Sequence, residues 1–208
     1  VDVHTDAVQA FLSEEVTIAA TGADLVSLAS HKVGGPKGVG VLYVRDGIEL
    51  EPVLHGGGQE LGRRSGTQNV AGIVGMVRAM ELSVADREGF RSRVGEARDR
   101  FEEALLSVHP DIRVTGARAG RLPQHAHLHI PGVSSETLLI RLDAARLAAS
   151  AGSACHSGAI EISHVLEAMG FTPAEAGECV RFSFGWNQHP ETGDEAADRV
   201  LAVLEELR

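Results

Sequence analysis

A lysine stands at the point where a predicted strand meets a glycine-rich turn. Lys32 follows the short apolar run 25–29, and the turn after it (residues 34–40) contains four glycines and a proline. Short apolar runs that end at turn residues are typical of buried strands, and the run 41–44 predicts another. Open α/β sheets bind ligands at the carboxyl ends of their strands. A partly buried lysine there would have a lowered pKa that suits Schiff-base chemistry. An exposed lysine in a glycine turn is the alternative, and the spacing alone leaves both open.

A cysteine in a loop of small residues is the second candidate for chemistry. Cys155 lies in the stretch 152–158, which otherwise contains only glycine, serine, alanine and one histidine. Buried structural cysteines usually lie among apolar residues of strands or helices, as Cys179 does. Polar and accessible surroundings suit a reactive thiol, and the neighbouring His156 could lower the thiol pKa. We therefore predict a reactive role for Cys155 and core packing for Cys179.

Two charged residues stand in predicted strands. Asp6 ends the run 1–6, where it could pair with the protonated ring nitrogen of a cofactor. From the residues alone, capping of the next helix is the favoured role for Asp6. Arg181 lies in the predicted strand 179–184. A buried arginine needs a partner, which could be a substrate carboxylate or a structural salt bridge.

Three histidines alternate along another predicted strand. His125, His127 and His129 would share one face of it, a spacing that could present metal ligands. A half-exposed strand explains the same pattern, and no cysteine or carboxylate lies nearby in sequence. We therefore predict no metal site.

The composition is that of an ordinary globular protein. The 208 residues are 43% hydrophobic and 23% charged, and the net charge of -10 argues against nucleic acid and anionic membrane surfaces as partners. No apolar run is long enough to span a bilayer. Two cysteines far apart in sequence do not form a disulfide framework, which favours a reducing compartment such as the cytoplasm.

The pattern of elements predicts two domains. Residues 68–108 have apolar positions at helical spacing, with a break expected near 86–90. We place a boundary at this break, which gives predicted domains 1–86 and 87–208. The first begins inside an apparent buried strand, and a core strand needs sheet neighbours. We therefore expect this chain to be the carboxyl-terminal part of a longer protein.

Within the second predicted domain the pattern is that of a small α+β unit. Ser134 is placed to cap a helix at its amino end, residues 147–150 predict a short strand, and residues 191–207 predict a closing amphipathic helix.

Taken in order, these features resemble the cysteine desulfurases, and within them the NifS-like and iron-sulfur assembly branch of the fold-type I, class V aminotransferase superfamily. The motifs that carry the resemblance run from one end of the chain to the other. They are HTDAVQ (4–9), SHK (30–32), GPKG (35–38), HGGGQE (55–60), RSGT (64–67), GSAC (152–155) and RFS (181–183).

The resemblance implies pyridoxal 5'-phosphate as the cofactor. Lys32 would hold it covalently and move protons at the substrate Cα. Asp6 would pair with the pyridinium nitrogen and so keep the ring an electron sink. Gln9 would bond the phenolic oxygen, and Ser30 and His31 would contact the phosphate.

The resemblance also implies a substrate, partners and a fold. Arg181 would bind the carboxylate of L-cysteine, and the thiolate of Cys155 would take up its sulfur as a persulfide, leaving alanine. The sulfur would pass to an acceptor protein, either an iron-sulfur scaffold or a tRNA- or DNA-thiolation enzyme. Thr67 would reach the phosphate in the neighbouring subunit of a homodimer. The implied fold class is α/β: part of the large cofactor domain, with a mixed sheet and helices, followed by a small α+β domain that carries the cysteine loop.

The departures from the family pattern are informative. The family's ring-stacking histidine and its threonine-containing phosphate loop belong to an amino-terminal half that nothing here matches. We expect the family's scaffold-docking extension to be absent after Arg208, and His156 stands where small hydroxyl residues are more usual. We therefore expect this chain to bind the cofactor poorly by itself.

Other functions remain in view. One is a selenocysteine lyase or another class V enzyme, and another is a non-catalytic fragment that serves only in binding. A cysteine–histidine hydrolase that uses Cys155 and His156 would need a third orienting group and an oxyanion hole, neither of which can be located in the sequence.

Overall fold

The computed structural model describes residues 1–151 and 163–208. They form two compact units, Val1–Glu88 and Gly89–Arg208. The assignment of domains as 1–86, a partial cofactor domain, and 87–208, a small domain, stays a prediction. Among the described helices none is both long enough and apolar enough to cross a membrane.

The first unit is built on a mixed three-stranded sheet. Strand β1 (His4–Asp6) runs parallel to β2 (Leu25–Ala29), and β3 (Gly40–Val44) runs antiparallel to β2 on its other side. A short helix, α1 (Ile18–Thr21), lies between β1 and β2 in sequence. The mixed α/β character that the sequence predicts is confirmed.

Two expectations about burial in this sheet are wrong. The opening strand covers only His4–Asp6 rather than residues 1–6, and it is exposed or half-buried along its length. In β3, Val41 and Leu42 are each 46% exposed. Both strands lie at edges of the sheet as described, so each has a strand neighbour on one side only. Apolar character predicted strands correctly here, but burial depends on what covers them.

The turn between β2 and β3 is held by close packing against a helix. After β2 the chain forms a short 3-10 helix, Ser30–Val33, which ends at Gly34 with a φ of 80°. Helix α2 (Val70–Ala85) lies on the segment that follows. A Cβ at Gly72 would lie 2.5 Å from Val39 Cγ2, and one at Gly75 would lie 2.7 Å from Pro36 Cγ. Only glycine in α2 permits this approach, so α2 fixes the position of the turn.

The long predicted helix is broken at the expected place. Helix α2 ends at Ala85 and α3 (Arg87–Val108) begins two residues later. Asp86 between them leaves the helical region with a φ of -105° and a ψ of 12°.

The second unit contains an antiparallel sheet in the order β4 (Arg113–Val114), β5 (His125–His129) and β6 (Cys179–Ser183). Side chains alternate between its two faces. The even-numbered positions of β5 and β6 form the core face, where Ala126, Leu128 and Val180 are fully buried. The ring of Phe101 in α3 packs on Phe182, with 4.9 Å between the centroids. The odd-numbered positions form the opposite face, which is polar apart from the buried Cys179.

The remaining helices of this unit are α4 (Ser135–Ala144), α5 (His164–Ala168), α6 (Pro173–Ala176) and α7 (Glu191–Leu207). The bounds of α7 confirm the prediction. Ser134 precedes α4 as predicted, but its side chain makes no capping hydrogen bond; the first helical N–H, from Ser135, instead donates to the carbonyl of Gly177 (2.8 Å). The predicted strand 147–150 is reduced to one bridge, between Ser150 and Arg181.

Two helical glycines of this unit give a matched test of packing. A Cβ at Gly193 would overlap the backbone carbonyl of Ala97, whereas a Cβ at Gly95 would meet only Pro123 Cβ at 3.7 Å. We expect Gly193→Ala to destabilise the fold by about 1–3 kcal/mol through overpacking. Gly95→Ala should stabilise it by about 0.5–1 kcal/mol through helix propensity. Urea unfolding of both variants measures the difference, and equal effects of the two substitutions would contradict the close approach of α7 to α3.

Candidate functional site

Lys32 lies immediately beyond the carboxyl end of β2. It is in the middle of the 3-10 helix Ser30–Val33, and its side chain is exposed. The expectation of a partly buried lysine is therefore wrong for the chain as described. The packing reason is that the 3-10 helix buries Ser30 and Val33 and turns the two residues between them outward. Lys32 does lie just beyond the end of a strand, as predicted, and α/β sheets bind ligands at such ends.

Asp6 ends the strand next to β2 and points its carboxylate toward its own turn. In the parallel pairing of β1 with β2 it lies opposite Ser27. Its Oδ1 accepts a hydrogen bond from the backbone N–H of Val8 (3.0 Å). The residues after Asp6 form a turn rather than a helix, so the expected helix cap is wrong, although the carboxylate does bind the backbone of the next residues. The carboxylate is exposed. Because parallel strands end at the same sheet edge, Asp6 and Lys32 lie at one edge of the first unit. Gln9 is exposed in the turn that follows Asp6.

Ser30 and His31 stand beside Lys32 in opposite environments. His31 is exposed. Ser30 is fully buried, and its Oγ has no hydrogen-bond partner among the described residues. A Cβ at Gly35 would overlap that oxygen, so Ser30 packs directly against the glycine turn. A buried hydroxyl without a partner is costly, and it marks a polar group that a ligand oxygen could satisfy.

Thr67 follows a loop that is closed by its own side chains. Ser65 Oγ donates to the carbonyl of Gly57 (2.7 Å), and the N–H of Gly66 donates to Gln59 Oε1 (3.1 Å). These bonds join the motif at residues 64–67 to the motif at residues 55–60. Thr67 itself is exposed just beyond them.

Cys155 and His156 lie outside the described residues. The second cysteine, Cys179, is buried in β6, and its Sγ donates to the carbonyl of Glu175 (3.2 Å). Burial raises the pKa of the Cys179 thiol to about 11, so this cysteine stays protonated. The prediction that Cys179 fills the core is confirmed, while the role of Cys155 stays a prediction.

Arg181 lies in the middle of the polar face of the second sheet. Its Nε is buried and finds no hydrogen-bond acceptor in the part of the chain that is described. It lines a cavity of about 290 Å³ whose apolar wall is formed by Val165, Leu166 and Met169. Of the two partners considered for Arg181, the structural salt bridge is absent among the described residues. Residues 152–162, which include Glu161, lie outside the described residues, so a ligand carboxylate and a structural salt bridge both stay predictions for Arg181.

The three histidines do share the polar face, but each has its own partner. His125 Nδ1 bonds Ser183 Oγ (3.1 Å), and His127 Nδ1 bonds Thr115 Oγ1 (2.9 Å). His129 lies 2.9 Å from a carboxylate oxygen of Glu178. Within residues 1–151 and 163–208, no group of three or more histidine, cysteine or acidic side chains could hold a metal ion.

One end of the polar face is a closed charge network. Arg113 donates through Nε and Nη2 to His129 Nδ1 (3.2 and 3.0 Å) and through Nη2 to Glu175 Oε1 (2.8 Å). Because a guanidinium can only donate, Nδ1 of His129 is an acceptor, and its Nε2–H donates to Glu178. Hydrogen bonds from the backbone of Thr172, from Arg113 and from the Thr172 hydroxyl lower the pKa of Glu175 to about 2. These groups satisfy one another and leave the centre of the face to Arg181.

A comparison with models of known protein families identifies the family of this chain. The model of the class V aminotransferases matches residues 1–193. The chain belongs to this family.

Curated relatives narrow the comparison to one kind of enzyme. The chain is 43% identical over 201 residues to a cysteine desulfurase of Gluconacetobacter diazotrophicus, and the aligned region covers 97% of this chain and 49% of the relative. It is 38% identical over 205 residues to the cysteine desulfurase IscS of Dictyoglomus turgidum, covering 99% and 52%. The chain thus spans about half the length of the curated relatives it matches.

Solved structures share the fold. A NifS-like protein from Rickettsia africae is 27% identical, with a TM-score of 0.87 over 97% of this chain and 53% of its own. A second NifS-like protein is 32% identical, with a TM-score of 0.85 and coverage of 98% and 52%. The predicted fold class is confirmed.

The residues of the first unit have the chemistry that pyridoxal phosphate requires. Members of this family depend on that cofactor in general. Lys32 offers an exposed amine, Asp6 an exposed carboxylate at the same sheet edge, and Ser30 a buried hydroxyl without a partner. These groups fit an aldehyde, a protonated ring nitrogen and a phosphate, respectively.

The structure also reveals neighbours of Arg181 that the sequence did not assign. His127 lies directly opposite Arg181 in the pairing of β5 with β6. Thr115, just after β4, bonds the His127 ring and lines the same cavity. Alternation in each strand placed both His127 and Arg181 on polar faces, but the register that brings them together is not contained in either local pattern.

The Glu175 network predicts a pH dependence of stability. The pKa of Glu175 is lowered in the fold from an ordinary value of 4.5 to about 2. Its contribution is therefore present above pH 4.5 and is lost as the pH falls through the folded-state value. We expect Glu175→Gln to lower the melting temperature at pH 7, with a difference from the wild type that shrinks below pH 4.5. Glu103→Gln, at an exposed position on α3, is the control, and a pH-independent deficit of Glu175→Gln would refute the assignment.

Proposed function

We propose that this chain is the cofactor-lysine and sulfur-accepting part of a cysteine desulfurase. The observation that carries the proposal is the location of Lys32 and Asp6 at one sheet edge, in a chain that matches the class V family over residues 1–193. The names of the curated relatives support the reaction. A structural neighbour, described as SspA in complex with cysteine, supports L-cysteine as the substrate; it is 31% identical, with a TM-score of 0.65.

Residues of the first unit would hold the cofactor. Bound pyridoxal phosphate supplies an electron sink for chemistry at the Cα of an amino acid. Asp6 would place a negative charge at the protonated ring nitrogen, and Gln9 would bond the phenolic oxygen. Ser30 and His31 would contact the phosphate. Lys32 would anchor the cofactor and afterwards move the proton at the substrate Cα.

Residues of the second unit would hold and cleave the substrate. Arg181 would bind the carboxylate of L-cysteine through two parallel hydrogen bonds. The thiolate of Cys155 would attack the substrate sulfur, and the bond from that sulfur to Cβ would break. The electron pair stays with the carbon skeleton, which is protonated and leaves as L-alanine. Cys155 is left as a persulfide, so the atoms and charges balance.

The remaining assignments follow from the same proposal. Thr67 would contact the phosphate held by the second subunit of a homodimer. The persulfide would pass to an iron-sulfur scaffold or to a tRNA- or DNA-thiolation enzyme. The two cysteines are far apart in sequence and do not form a disulfide framework, which supports a reducing compartment. We propose the cytoplasm.

Two exposed lysines on one turn give a matched test of the cofactor site. We expect pyridoxal phosphate, fixed by borohydride reduction and located by peptide mass spectrometry, to label Lys32 in preference to Lys37. Both side chains are exposed, so exposure alone does not favour either. Lys32→Arg should remove the label and Lys37→Arg should retain it. Equal labelling of the two lysines would remove the basis for a cofactor site at the end of β2.

The two cysteines give the test of sulfur transfer. In the protein that carries this chain, Cys155→Ser should reduce alanine formation from L-cysteine to background, because serine cannot accept the sulfur. Cys179→Ala should retain it, since that thiol is buried and protonated. Chromatographic assay of alanine measures both. Full activity of Cys155→Ser would rule out the persulfide step, and parallel assays with L-selenocysteine separate this function from that of a selenocysteine lyase.

A further inference from the structure

His127 and Arg181 form the closest kind of side-chain pair that an antiparallel sheet offers. They are direct partners in the register of β5 and β6. The N–H and C=O of Arg181 bond to Ser150 on the other side of β6, at 2.7 and 3.0 Å. They are therefore not bonded to β5, so the pair is of the non-hydrogen-bonded type. In that type the side chains come closer together than in the hydrogen-bonded type.

The imidazole of His127 is fixed from the opposite side by β4. Its Nδ1 bonds Thr115 Oγ1 (2.9 Å), and the backbone N–H of Thr115 donates to the His127 carbonyl (2.8 Å). Burial, and next the charge of Arg181, lower the pKa of His127 below its ordinary value. The ring is consequently neutral near pH 7, so it packs beside the guanidinium without strong charge repulsion.

The guanidinium of Arg181 keeps one N–H without a hydrogen-bond acceptor among the described residues. Arg181 Nε is buried without an acceptor among the described residues, and Arg181 and His127 are the only titratable groups among the described residues that line the cavity. On the same strand face, His125 and His129 flank His127, and Arg113 contacts His129. A buried guanidinium N–H without an acceptor is costly, and a ligand carboxylate would remove that cost.

We propose that His127 is a positioning residue for Arg181. Its imidazole, anchored by Thr115, confines the guanidinium on the shared face, so that a substrate carboxylate meets a side chain that is already oriented. The identity of the substrate rests on the proposed function, whereas the pairing of His127 with Arg181 does not depend on it. Because the side chain of Arg181 is already confined, it loses less conformational entropy when the substrate binds, and the affinity for the substrate is higher.

The kinetic test compares two histidines on the same face. His127→Ala should raise KM for L-cysteine by about 3- to 10-fold with kcat little changed. His127→Asn should restore most of the loss, because an amide attached at Cγ occupies the place of Nδ1 and can bond Thr115. His125→Ala, which removes the partner of Ser183 from the same kind of pair, should leave KM unchanged.

In an Arg181→Lys background, His127→Ala should have no further effect on KM. Equal effects of His127→Ala and His125→Ala, or an undiminished effect in the Arg181→Lys background, would overturn the proposal.

A second measurement separates this inference from the proposed function. In the 208-residue chain, NMR titration of the imidazole protons should show the pKa of His127 rising in Arg181→Met, while burial still holds it below the ordinary value. His125 is the internal control. An unchanged His127 pKa would overturn the positioning contact whether or not the protein acts on cysteine. A shifted pKa in a protein that forms no alanine would support the contact and refute the desulfurase function.

Discussion

The parallel pairing of β1 with β2 is the interaction on which the candidate cofactor site depends. It is the only parallel pair among the described strands, and it brings two carboxyl ends to one sheet edge. The backbone N–H of Ala7 donates to the carbonyl of Ser27 (3.0 Å), which extends the pairing beyond Asp6. The glycines of α2 then allow that helix to hold the turn after Lys32. Backbone hydrogen bonds and close packing therefore position Asp6 and Lys32 at this edge.

The sheet of the second unit has one apolar and one polar face, and the two faces are stabilised in different ways. The apolar face is buried, with Phe101 of α3 packed on Phe182, and this burial stabilises the unit. The polar face must satisfy its charges. At one end Arg113, His129 and the acidic groups around them do so among themselves. At the centre, among the described residues, His127 lies opposite Arg181 and the Nε of Arg181 has no acceptor, which is why we propose this place for a carboxylate ligand.

Several features of the protein follow from local sequence. The helix break at Asp86, the extent of α7 and the alternation of β5 and β6 were predictable because periodicity and turn chemistry act over a few residues. The order of the short motifs was enough to predict the class V family, which the match over residues 1–193 confirms. The residue types at Lys32, Asp6 and Arg181 left their roles open, and only the resemblance to the family assigned them cofactor and carboxylate chemistry.

Exposure and pairing, in contrast, were decided only by the tertiary structure. Lys32 is exposed and β1 lies at a sheet edge, although their sequences are typical of buried segments. Burial is a property of the elements that cover a residue, and those come from distant parts of the chain. The same holds for His127 and Arg181, which are 54 residues apart and meet only through the register of β5 on β6. The sequence by itself determined which chemical groups are present and on which strand faces they lie. The fold decided which of them are neighbours, because register and packing are set by long-range contacts.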